Sequence, residues 1–267
     1  MQEMPAMVLI KREKIQDIYF RKNGIVLILK IGGGFTMIHA ILTIDDIASK
    51  NTPAIVDYLN EKNITALMFA VGENVERYYD NAIYALKHGM IVGNHSYSHP
   101  FFSQISFEEA VQEIEKNEEL LDKLYKDSGV ERKYRPFRFP YGDKGGENKA
   151  ALQAYFKENG FNKLKDTQLP YEWWKEKGLS EEIDTFWTFD FAEYNIRTGS
   201  EFTVEDVWKR INDLSPESGA ALLEDNGSHI LLLHAHDETE ELVPEYYKQF
   251  IDYLLEKGVI FDTPEFF

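Results

Sequence analysis

Cysteine is absent from the 267 residues. That excludes disulfides, thiolate metal ligands and a cysteine nucleophile, so any metal ion has to be held by His, Asp or Glu. It does not decide the compartment. Basic side chains are scarce: 29 Lys and Arg stand against 46 Asp and Glu, for a net charge of −17. A surface this acidic repels phosphate backbones and anionic lipid, so no nucleic acid is expected as a partner, while a neutral or cationic glycan is compatible. A membrane-spanning apolar run is missing too. Residues 24–31 (GIVLILKI) are apolar, but they include Lys30, run into Gly32, Gly33 and Gly34, and are too short to cross a bilayer. Glu3 and Glu13, with no apolar core near the start, argue against a signal peptide. The chain as written therefore reads as cytoplasmic, or as a cell-envelope or secreted protein if a leader has been removed. Internal repeats and low-complexity linkers are lacking, and the oligomeric state is not legible.

What is present is a globular composition, 43% hydrophobic and 14% aromatic. Short apolar runs alternate with helical patterns. Strands are expected at 40–44, 66–71, 90–93, 137–139, 186–189, 230–234 and 259–262. Helices are expected at 52–62, 73–88, 106–126, 149–159, 204–212 and 242–257. Ser106 and Glu109 have the spacing of a capping box at the start of the third helix. This rhythm implies a parallel α/β sheet with crossover helices, and about seven βα units suit a distorted (β/α) barrel. Functional groups then belong at the C-terminal ends of strands. Two segments stand outside the rhythm. Residues 1–35 read as an N-terminal extension, a pair of strands packed on the barrel, with the main domain at 36–267. Residues 162–184 read as an insertion near the barrel rim, whose Tyr171, Trp173 and Trp174 are better suited to packing than to sugar stacking.

Five segments at strand ends carry chemistry. In Thr43-Ile44-Asp45-Asp46, adjacent acids repel, so a cation or an arginine is expected beside them. His95 and His99, four apart on a helical turn, point the same way and suit one metal ion. With one of the acids they form a His, His, Asp set that leaves coordination positions open. Arg138-Phe139-Pro140-Tyr141-Gly142 offers a guanidinium for a bidentate carboxylate pair and a turn able to aim a backbone N–H. Asp190 ends an aromatic strand that continues to Glu193 and Tyr194, and His234 and His236 end an apolar one. Each segment alone also fits ordinary caps, surface histidines or solvated acids. From the residues alone Asp45 and Asp46 are interchangeable.

Taken together and in this order, the segments resemble the polysaccharide deacetylase family, the NodB-homology carbohydrate esterases that include chitin and peptidoglycan deacetylases. The resemblance spans residues 40 to about 237. His95-Ser96-Tyr97-Ser98-His99 and Arg138 to Gly142 follow the family pattern without departure. Ile47 stands where a glycine is usual and is expected to restrict that turn and narrow the site; Glu193 and Tyr194 replace a usual Asp and Trp. The resemblance implies a barrel with a divalent metal at its mouth. Asp46, His95 and His99 would hold Zn²⁺, with Co, Ni or Mn in its place as options. Asp45, held by Arg138, would be the general base, and the Tyr141 N–H would face the oxyanion. His234, preferred over His236 on the family pattern and oriented by Asp190, would protonate the departing amine. Leu232 would form part of the acetyl pocket and Tyr194 an aromatic wall. The implied activity is removal of N-acetyl groups from an N-acetylglucosamine polymer. An O-acetyl esterase on a xylan-like glycan and a catalytically silent glycan-binding module on the same fold are the alternatives.

Overall fold

The computed structural model describes the backbone of residues 8–12, 15–22 and 25–31, and residues 37–267 throughout. The chain divides into two compact units, Met1–Thr36 and Met37–Phe267. In the first, β1 (Val8–Arg12), β2 (Ile15–Lys22) and β3 (Ile25–Ile31) form an antiparallel meander. There are three strands where the sequence suggested a pair.

The second unit is built on a parallel sheet of β4 (Ile38–Ile47), β5 (Leu67–Ala70), β6 (Ile91–Asn94), β7 (Phe189–Asp190), β8 (Ser228–His234) and β9 (Val259–Phe261). Its order is β6-β5-β4-β8-β7, with β9 beside the first residues of β4. Around it lie α1 (Thr52–Glu61), α2 (Gly72–Arg77), α3 (Tyr79–Lys87), α4 (Phe107–Ser128), α5 (Lys149–Glu158), α6 (Glu172–Glu176), α7 (Val204–Ile211), α8 (Asp237–Leu242) and α9 (Tyr246–Glu256). Every residue of β8 is buried, which explains its unbroken apolar run: a strand covered on both faces does not alternate. Leu42, Ile44, Leu231 and Leu233 pack in the cluster that also holds the apolar sides of α1, α3 and α9, while Ile41, Leu67, Phe69 and Ile230 belong to a second cluster on the opposite face.

The expected barrel of seven units is not realised as a closed ladder. β6 and β7 do not pair, and the gap between them is crossed by a single bridge from Asn94 to Phe137 and a hydrogen bond from the Thr185 N–H to the Phe137 carbonyl, 2.8 Å. Pro136 and Pro140 flank the expected strand at 137–139 and deprive it of ladder donors, so it remains one bridge long. The helix expected at 73–88 divides, with Tyr78 at φ −126° and ψ 46° between α2 and α3. The one expected at 242–257 forms as α9, starting after Glu245 at φ 58°, and the short α8 precedes it.

The insertion lies away from the functional rim. Leu164, Leu169, Trp174 and Leu179 pack with Ile41 and Ile230, which sit on the early parts of their strands, and Leu164 bridges to Phe266. Trp174 is 4% exposed and donates its indole N–H to Asp166 at 2.8 Å. Residues 162–184 thus cover the N-terminal end of the sheet, and none of them lines the cleft at the other end. Among the described residues, no helix is long and apolar enough to cross a membrane.

Candidate active site

The C-terminal ends of β4, β6 and β8 open into one cleft of about 690 Å³. In a regular strand Asp45 and Asp46 would face opposite sides of the sheet. Here the register against β5 shifts between Ile44 and Ile47, and Asp46 takes φ 65°. This bulge turns both carboxylates into the cleft and returns Ile47 to the core, fully buried. Ile47 therefore does not narrow the site, contrary to the expectation from its shape.

His95 and His99 are not on a helical turn. An irregular loop presents them, with Ser96 at φ 62° and His99 at φ 60°. The loop is held from α4. Glu113 accepts the N–H groups of Tyr97 and Ser98 at 3.1 and 2.7 Å, and Asn117 donates to the Asn94 side chain at 2.9 Å, whose oxygen in turn accepts the Ser96 N–H. Glu118 anchors Asn94 from the same helix, at 2.9 Å. Non-glycine residues rarely adopt positive φ, and such strain persists only where surrounding contacts enforce it.

The result is a three-residue cluster. His95 Nε2 and His99 Nε2 are 3.3 Å apart, and Asp46 Oδ1 lies 3.3 Å from His99 and 3.7 Å from His95. The His95 Nδ1–H donates to the Arg138 carbonyl at 2.8 Å, which orients the ring and aims Nε2 at the cluster. Burial and the neighbouring His95 push His99 down to about 4, so it is neutral. Burial alone would raise the Asp46 carboxyl, but His236, His99 and His95 hold it well below the usual carboxylate range.

Asp45 sits beside this cluster. Its Oδ1 accepts from Arg138 Nη1 at 2.7 Å, and its Oδ2 is 3.4 Å from His95 Nε2. The arginine pairs through one nitrogen, not two as expected, because Nη1 also reaches Thr43 at 2.8 Å while Nε is taken by the Thr185 carbonyl at 3.1 Å. Its buried plane lies over Phe69, 4.5 Å from the ring centre. Across the cleft is His234, against the edge of the Tyr194 ring at 4.6 Å. Asp190 does not make the orienting contact assigned to it. It accepts the Ala192 N–H at 2.7 Å, and burial pushes its carboxyl up to about 6. Glu193, fully buried, takes that place: its Oε1 lies 3.2 Å from His234 Nδ1 and also accepts the His234 N–H. Burial opposes charge on His234, yet Glu193 raises it to about 10. Leu232 is buried at the base of the cleft. Tyr141, 58% exposed at the mouth, stacks on Phe101 with ring centres 4.0 Å apart.

Residues 35–162 match the polysaccharide deacetylase family. The chain is 34% identical over 112 residues to a peptidoglycan-N-acetylglucosamine deacetylase of Bacillus cereus, covering 42% of this chain and 39% of that protein. It is 35% identical over 115 residues to a peptidoglycan-N-acetylmuramic acid deacetylase of Bacillus subtilis, covering 42% of this chain and 23% of that one. Over residues 35–162 the chain is of the polysaccharide deacetylase family. The alignments span less than half the length of either relative. A chitin deacetylase from Colletotrichum lindemuthianum shares the fold, with a TM-score of 0.57 over 84% of each chain and 22% identity.

The part of the chain that matches the family ends at residue 162. Asp45, Asp46, His95, His99, Arg138 and Tyr141 fall inside it, whereas Asp190, Tyr194, Leu232 and His234 are brought to the same cleft by the fold of the remaining chain. Sequence reasoning missed Glu113 and Asn117, which look like ordinary solvated helix positions. It noted Glu193 only as a departure, although an acid three residues beyond Asp190 was the available signal.

Proposed function

We propose that this chain is a metal-dependent N-deacetylase acting on an N-acetylglucosamine-containing polysaccharide of the peptidoglycan or chitin type. The observation that carries the reading is the spacing of the cluster. Ligand atoms about 2 Å from a tetrahedral ion lie roughly 3.3 Å from one another, and the three pairs in the cluster are 3.3, 3.3 and 3.7 Å apart. Two imidazoles and one carboxylate suit Zn²⁺, and Co, Ni or Mn by the same donor chemistry. Such an ion, when bound, supplies Lewis acidity toward a carbonyl oxygen and toward water.

The remaining roles belong to the chain's own groups. Asp45, oriented by Arg138, accepts a proton from the attacking water. The Tyr141 N–H, in a turn at φ 57°, is a donor for the developing oxyanion. The proton on His234, held by Glu193, goes to the departing nitrogen. An amine leaving group needs that proton more than an alcohol does, and this favours amide over ester substrates. Leu232 offers an apolar floor for the acetyl methyl, and Tyr194 and Tyr141 offer walls for sugar rings. The products are acetate and a free amino sugar.

The test is acetate release from N-acetylglucosamine oligomers and from peptidoglycan, after chelation and again after Zn²⁺ is returned. Release lost on chelation and restored by metal is expected. Faster release from acetylxylan than from either substrate would instead support the O-acetyl esterase reading. Glycan binding with bound metal and no release from any of them would support a silent binding module.

A further inference from the structure

The inference concerns His236 and rests on the proposed reading of the Asp46, His95 and His99 cluster as a metal site. The two oxygens of Asp46 are used differently. Oδ1 faces His99 and His95 at 3.3 and 3.7 Å, whereas Oδ2 accepts a hydrogen bond from His236 Nε2 at 2.6 Å. The proton is on the imidazole, because an ionised carboxylate only accepts. His236 approaches from the end of β8, where it precedes the first residue of α8. Among the described residues its ring is not part of the cluster of ligand atoms within 4.8 Å of one another, which holds Asp46, His95 and His99 alone.

The main chain of Asp46 is already fixed. It sits at φ 65°, and its carbonyl accepts from Asn74 Nδ2 at 3.0 Å. What remains free is rotation of the carboxylate about its last torsion, which is a broad, two-fold well for this side chain. A ligand oxygen that swings out of line weakens metal binding even when the residue is present. His236 removes that freedom.

We infer that His236 is a positioning residue for the metal site: it ties Oδ2 of Asp46 and thereby holds Oδ1 toward His95 and His99 as a single-oxygen ligand. Its contribution is to metal affinity, through Asp46, and not to the fold. His236 is about one-third exposed and lies two residues beyond β8, whose own residues are all buried and carry the packing. Partners behind a ligand typically change affinity by about 10- to 100-fold when removed.

The experiment uses the full chain, stripped of metal, and measures the Zn²⁺ dissociation constant by competition with a chromogenic chelator. Three proteins are compared: the unaltered chain, His236→Ala, and His236→Gln, whose side-chain amide keeps a donor. Metal-free thermal midpoints are measured alongside. The Ala variant is expected to bind Zn²⁺ about 10- to 100-fold more weakly, the Gln variant to recover most of that loss, and the metal-free midpoints to coincide. An Ala variant with unaltered affinity overturns the inference while leaving the metal reading standing. A Gln variant as weak as the Ala variant also overturns it, since a donor alone would then not suffice. If the unaltered chain binds no Zn²⁺, the metal reading itself falls, and this inference with it.

Discussion

Asp45 and Asp46 are neighbours with the same side chain, yet the fold gives them different surroundings. The bulge at the end of β4 turns Asp46 toward two imidazoles and Asp45 toward Arg138. Asp45→Asn is therefore expected to keep metal and lose turnover by about 10²- to 10⁴-fold, the range for removal of a general base. Elemental analysis beside acetate-release rates checks this, and normal turnover would sink the assignment. His95→Ala and His99→Ala are each expected to lose bound metal, and full occupancy in both would refute the ligand set. At Glu193, replacement by Gln keeps the shape and an acceptor for the His234 N–H but removes the charge that holds a proton on His234. Turnover should fall by roughly tenfold or more, with KM little changed. Steady-state kinetics on an oligomer decides it. An unaltered turnover number would return the orienting role to Asp190.

At the scale of elements, the functional loops hang on structure that has no chemistry of its own. α4 was the most legible helix in the sequence, and its capping box is present with both reciprocal bonds. What the pattern did not reveal is that its buried side reaches the histidine loop through Glu113, Asn117 and Glu118. The insertion serves the opposite end of the sheet. Trp174→Ala should lower unfolding free energy by about 3–5 kcal/mol, the usual loss for a buried large aromatic, and should leave KM unchanged in the protein that remains folded. Chemical denaturation and kinetics test both halves. His229, the second residue of β8 beneath the insertion, sets a pH dependence. It is fully buried near the Tyr171 and Thr188 hydroxyls, and burial lowers it to about 4. The unfolded chain takes up a proton near 6.5 and the folded chain only near 4, so the unfolded state binds more protons between those values. Stability is then complete above about 6.5 and is lost as pH falls toward 4, by about 3 kcal/mol at 1.4 kcal/mol per unit. Denaturation midpoints from pH 7 to 4 should show this slope, and a flat profile in His229→Gln would confirm its source.

At the scale of the whole molecule, the acidic charge and the metal cluster act together. A net charge of −17 gathers cations around the chain and repels anionic polymers, and on the proposed reading a site holding two carboxylates beside two imidazoles would draw a divalent ion from that atmosphere. Metal binding to the folded state alone adds stability by mass action, about 4 kcal/mol at a thousandfold excess over Kd. Chelation should thus lower the thermal midpoint as well as the activity.

The sequence by itself determined the α/β class, most of the elements and the chemistry-bearing residues. These reside in local signals: apolar runs, a capping box, glycine stops, and motifs short enough to survive as contiguous letters. Tertiary structure alone decided the rest. Whether the sheet closes depends on two prolines and a single bridge at Phe137. That His95 and His99 converge from a loop, and not a helix, depends on contacts from α4 between 15 and 23 residues away. That Glu193 and not Asp190 holds His234, and that His236 reaches Asp46 across 190 positions of chain, follows from how β4, β7 and β8 lie side by side. Periodicity describes one element at a time. Which side chains meet across elements is set by register and by the direction of each Cβ, and those exist only once the sheet has formed.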